Sequence, residues 1–187
     1  MQALENPVLP DLPLARSGAP LMDHPAPALQ RIEIRRMDTR ELLVVVVGTT
    51  LAGADLSGAT LSRALLTGAH LCGTNFTGAS LGYAHLGDAD LGGARLRDAY
   101  LHMAFLRRAR LLDADLTGAN LRGADLQDAD LRRACLRGAN LSRAFLRGAD
   151  LSQADLTGVR LDGARFDAAT GWPDGFDPVA RGAFCVA

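Results

Sequence analysis

From residue 51 onward an apolar side chain recurs at every fifth position. The series runs Leu51, Leu56, Leu61, Leu66, Leu71, Phe76, Leu81 and on to Leu161 and Phe166, 24 consecutive positions of which 22 are leucine. Two residues ahead of each stands a small residue, nearly always alanine (Ala54, Ala59, Ala64, Ala69), with Thr74 and Val159 the main departures. A helix does not explain the pattern, because residues five apart at 3.6 residues per turn spiral over every face and leave no apolar stripe. A plain strand fails as well, because an odd period sends successive leucines to opposite faces.

A coil with four corners satisfies the period. Within each pentapeptide the small residue and the leucine are two apart, so an extended segment points both inward. The remaining residues turn the chain to the next side, and glycine at Gly53, Gly58, Gly68, Gly78, Gly118 and Gly138 suits a tight corner. Four pentapeptides close one coil, and 24 of them build about six coils. Stacked at about 4.8 Å, they form a rod roughly 29 Å tall. The sequence thus predicts an all-β solenoid over residues 48–170.

The flanks break the period. Residues 1–28 hold six of the eight prolines and read as a flexible tail. In residues 29–47, an alternating run (Leu29 to Arg35), a polar turn (Met37 to Arg40) and a second apolar run (Glu41 to Val47) predict a hairpin-like β cap. Val44 and Val46 stand in pentapeptide register, so the second run is expected to enter the first coil. Residues 171–187 carry the only tryptophan, Trp172, and Phe176, which are expected to cap the last coil.

The Ala-(Asp/Asn)-Leu-x-x pattern, in register over roughly residues 44–170, resembles the pentapeptide-repeat family. The resemblance implies a right-handed quadrilateral parallel β-helix. It also implies a second candidate function, because some family members mimic duplex DNA, bind DNA gyrase and protect it from inhibitors. Duplex DNA carries a charge every ~1.7 Å of axis. Residues 48–170 instead hold 14 arginines against 13 aspartates, and no insertion interrupts the repeats.

The whole chain has a formal charge of -1, which supplies no electrostatic drive toward nucleic acid or an anionic membrane. All 20 basic residues are arginine, and with the heavy Ala and Gly usage this fits a GC-rich, bacterial genome. Cys72, Cys135 and Cys185 form no CxxC pair, and no signal peptide or membrane-length apolar run is evident, so a cytoplasmic protein is expected.

No catalytic, cofactor or metal motif emerges. Asp55, Asp90, Asp115, Asp125, Asp130, Asp150 and Asp155 precede leucines as repeat features and are read as solvated or paired charges. His70 and Cys72 flank Leu71, without the second pair that a zinc site needs. An enzyme is therefore not expected.

One region departs from the tiling. Positions 20 apart stack, so Leu65, His85 and Phe105 form one outward column where Asp or Asn is usual. Tyr83 and Met103 form the column one corner away, with Tyr100 and His102 on the same side of the third coil. Concentrated apolar and aromatic surface marks an interaction site. The expected function is a non-catalytic scaffold presenting this edge to a protein partner of unknown identity, a homodimer being one form of it. An accessory role in a biosynthetic or regulatory pathway is a further alternative. Docking of the N-terminal tail, or drift on a tolerant surface, would also explain the patch.

Overall fold

The computed structural model describes residues 31–48 and 50–186. Extended residues pair in parallel with those 20 positions on, in a series of single bridges from Asp55↔Asn75 to Phe145↔Arg165. Each side of the coil is only a few residues long, so it contributes one bridge rather than a long strand. Around each bridge the backbone bonds both ways, as in Leu56 N to Asn75 O (2.8 Å) and Asn75 N to Ala54 O (2.9 Å). The four sides follow the columns through residues 55, 60, 65 and 70.

The inward positions form a single core. Leucines from Leu61 to Leu151 and alanines from Ala79 to Ala149 are almost wholly buried, and Phe76 takes a leucine position. Thr74 and Thr170 stand at two small-residue positions near opposite ends. Each hydroxyl donates to a leucine carbonyl of the preceding coil, Leu51 at 2.7 Å and Leu146 at 2.9 Å. Those bonds remove the penalty of burying a hydroxyl in an apolar column.

Every corner from Gly53 to Gly163 has a positive φ at its third residue, between 54° and 71°. The following alanine donates back to the leucine, as in Ala54 N to Leu51 O at 3.0 Å. Together these are the marks of type II turns. Glycine fits that conformation without strain, but arginine, aspartate, tyrosine, methionine and glutamine also occupy it here. Gln153 is exposed and left-handed at 62°. Gln153→Gly is expected to raise stability by about 0.5–1 kcal/mol, as relief of the left-handed strain outweighs the added chain entropy. A rise in the urea midpoint at unchanged slope would show it.

Two strands precede the coils, β1 (Arg31–Arg35) and β2 (Leu42–Val47), paired as an antiparallel hairpin with a bulge between Ile34 and Arg35. Ile34 is buried and Val44 and Val46 pack against the core. The expectation that β2 enters the first coil is not met. Arg36 bridges Ala64 in antiparallel fashion, and Leu65 N donates to Arg35 O at 2.8 Å. The end of β1 therefore occupies the place on Leu65 that Val44 would take if the 20-residue stagger continued.

At the other end the stagger slips by one residue, because Asp150 pairs with Gly171. Thr170 N closes a turn onto Asp167 O at 3.1 Å, and the extra residue lies within that turn. The chain then returns to add a further rung, β3 (Arg165–Phe166) pairing in parallel with β4 (Phe184–Cys185). Phe166, Trp172 and Phe176 pack on the core, with Trp172 edge-on to Phe166 (5.6 Å) and stacked on Phe176 (5.4 Å). The tail expected over residues 1–28 lies outside the described residues.

Candidate functional site

Local backbone places each residue of the aromatic edge. Leu65, His85 and Phe105 are successive members of one bridged column, followed by Asp125 and Phe145. Tyr83 and Met103 are third residues of turns on the corner before that column, and both are left-handed, at 58° and 55°. Of the described non-glycine residues with positive φ, they alone are aromatic or aliphatic in character; the rest are Arg, Asp and Gln. A bulky side chain in this conformation is strained.

Two ring pairs knit the edge. The Tyr83 and His102 rings meet edge to face at 5.3 Å, and His85 stacks on Phe105 at 4.7 Å. His102 lies over Gly82, where a methyl group would fall 2.3 Å from imidazole Cε1. Met103 likewise lies over Gly123, with Sδ 2.5 Å from where a Cβ would stand. Much of the edge stays in solvent: Tyr83 is 40% exposed, Tyr100 54%, Met103 46% and Phe105 44%. Tyr100 stands on the neighbouring side, bridged to Ser80 and Asn120, and flanks the corner rather than joining the ring pairs. Leu65 is half-buried where the hairpin docks.

The hairpin turn adds residues that the periodicity does not reveal. Met37 N donates to Arg63 O at 2.8 Å, and Arg63 Nη1 donates to Asp38 Oδ2 at 2.8 Å. The Arg63 guanidinium also lies over the Tyr83 ring, 5.7 Å from its centre. Met37, Asp38, Arg63, Tyr83, His85 and Phe105 line a shallow cleft of about 180 Å³. The hydrogen bond from Arg63 holds the Asp38 carboxyl below its ordinary value.

Elsewhere the charges pair along and across the coils. Arg108 joins Asp88, Arg133 joins Asp113, Arg132 joins Asp130 and Arg137 joins Asp155. The guanidinium bonds lower the Asp88 and Asp113 carboxyls. With folded values below the unfolded one, these groups stabilise the fold above about pH 4, and that contribution is lost as pH falls through their folded values. The urea midpoint is expected to fall below about pH 4, and less steeply in Arg133→Gln. Exposed pairs are worth little singly, so the effect is collective.

Cys72, Cys135 and Cys185 are free thiols, and burial raises Cys72, whose Sγ lies 3.9 Å from Asp90 O. Among the described residues no group of three His, Cys, Asp or Glu side chains is placed to hold a metal. No described helix is long and apolar enough to cross a membrane.

A family model for pentapeptide repeats matches in eight copies over segments that together span residues 54–170. Among curated proteins none matches the chain. A pentapeptide repeat protein of Nostoc Pcc 7120 is 40% identical over 55% of this chain and 84% of its own, with a TM-score of 0.54. Another, Rfr23 of the cyanobacterium Cyanothece 51142, is 41% identical over 50% of this chain and 63% of its own, with a TM-score of 0.49. Full-length QnrB1, a plasmid-mediated fluoroquinolone resistance protein, is 22% identical over 71% of this chain and 79% of its own, at a TM-score of 0.40. A likeness at that level carries no functional inference. The repeats, the 20-residue stagger and the matched segments together show that the chain belongs to the pentapeptide-repeat family, whose fold is the right-handed quadrilateral β-helix.

Proposed function

We propose that this protein is a non-catalytic binding solenoid of about six coils, covered at one end by the β1–β2 hairpin and at the other by Trp172 and Phe176. Its working surface is the edge formed by Leu65, Tyr83, His85, Tyr100, His102, Met103 and Phe105, and its ligand is another protein. One observation carries the reading. The only aromatic and thioether side chains held left-handed among the described residues, Tyr83 and Met103, are consecutive on one corner and remain exposed. At the other non-glycine corners the left-handed residue is Arg, Asp or Gln, so an exposed ring and thioether in that conformation point to a role for those side chains.

The test is capture of partners from host lysate by wild type and by Tyr83→Asp/Phe105→Asp, both first shown to have the same β-type circular dichroism. A partner held by wild type and lost by the variant supports the edge. Equal recovery by the two proteins rejects it. The gyrase alternative calls for a surface that imitates duplex DNA, and here the carboxylates alternate with guanidinium partners. Unchanged supercoiling by gyrase in the presence of the protein, with and without inhibitor, would remove that alternative.

A further inference from the structure

The corner that carries Tyr83 and Met103 continues into two arginines. Backbone bonds tie Tyr83 N to His102 O, Met103 N to Arg122 O, Gly123 N to Ser142 O and Arg143 N to Asp162 O, so these residues stack along one edge. Arg122 and Arg143 are exposed. Arg107, Arg108, Arg132, Arg133 and Arg137 each hold a carboxylate. Arg122 and Arg143 form no ion pair among the described residues.

The neighbouring carboxylates are already engaged. Asp38 accepts from Arg63, Asp125 accepts from Gln127 Nε2 at 3.0 Å, and Asp162 lies 3.8 Å from Arg160 Nε and accepts from Ser142 Oγ. Met103 reaches toward the fourth coil over Gly123, the residue that follows Arg122 in the chain.

Resting on the edge as a protein-binding surface, we propose that its ligand is an acidic segment with an apolar anchor. The anchor, an aromatic or methionine side chain, sits on Tyr83, Met103 and Phe105. Carboxylates of the same segment engage Arg122 and Arg143. Coils rise about 4.8 Å, so Arg143 stands roughly 10 Å beyond Met103, the span of about three extended residues. A guanidinium left unpaired beside apolar surface offers a charge-assisted, forked bond to a carboxylate. Single-stranded nucleic acid also uses aromatics with arginine. A phosphate chain needs positive charge along its whole path, whereas this corner offers the two guanidiniums of Arg122 and Arg143, which suits a short acidic peptide.

The full chain is titrated with three fluorescein-labelled libraries of short peptides, each with a phenylalanine or methionine anchor followed by glutamate, glutamine or lysine positions. Oligo-dT is titrated in parallel. The acidic library is expected to bind best, and Arg122→Glu/Arg143→Glu to weaken it by about tenfold or more and turn preference to the lysine library. Indifference to peptide charge, or binding of oligo-dT in place of the peptides, overturns the proposal. If Tyr83→Asp/Phe105→Asp abolishes partner capture while the arginine reversal leaves it intact, the edge stands and the acidic ligand fails. If neither change affects capture, both fail.

Discussion

Leu116→Ala is expected to lower the unfolding free energy by about 2–5 kcal/mol, among the largest effects of any single substitution in the chain. Leu116 is fully buried at mid-rod, in a core column between the buried Leu96 and Leu136. The rungs that flank it, Leu96 N to Asp115 O and Leu116 N to Cys135 O, are both 2.7 Å and fix the coil spacing. The core therefore cannot collapse into the cavity, and the loss takes the upper part of that range. In a solenoid each coil is supported only by its neighbours, so a central lesion weakens contacts on two sides. Leu51→Ala, in the first coil and already 7% exposed, is expected to lose distinctly less. Equal losses at the two positions, measured by urea unfolding, would contradict this nearest-neighbour picture.

The second large effect concerns binding and separates function from stability. Tyr83→Gly and Met103→Gly each remove a strained left-handed side chain, and relief of that strain is expected to offset the lost contacts with His102, Arg63 and Gly123, leaving stability within about 1 kcal/mol of wild type. The same substitutions are expected to weaken partner binding by roughly 30-fold each, the consequence of losing an aromatic or thioether anchor worth about 2 kcal/mol. Gln153→Gly shares the backbone conformation but lies on the opposite corner, and is expected to gain stability with binding unchanged. Binding lost with stability kept at Tyr83, and a stability gain alone at Gln153, would show that the strain serves recognition. Binding intact in all three would show that it does not.

The repeat region was legible because a strict period leaves little freedom. Once four pentapeptides close a coil, position 85 must stack between 65 and 105, and the His85–Phe105 contact follows. The seat of His102 over Gly82 follows from the same stagger, since position 82 has no side chain to occupy the space that the ring takes.

The departures arise where the period ends. Val44 and Val46 carry the right spacing, yet β1 wins the first-coil edge, because the hairpin swings Arg35 and Arg36 onto Ala64 and Leu65. The one-residue slip before Gly171 depends on a local turn at Asp167 and Thr170 that no apolar spacing encodes. The Arg63–Asp38 pair was invisible for the same reason, since it joins the non-repeating hairpin to the repeat across 25 residues. The rung of Phe184 and Cys185 on Arg165 and Phe166 belongs with these, built from a tail that has no repeat signature.

The most direct test of the edge as the binding surface is site-specific photo-crosslinking in host cells. A photoreactive phenylalanine analogue is placed at Met103 in one protein and at Arg133, on the diagonally opposite corner, in another. The edge predicts a discrete crosslinked partner from position 103 that is absent from position 133 and disappears with Phe105→Asp. Crosslinking from position 133 alone, or to the same partner from both corners, would contradict it.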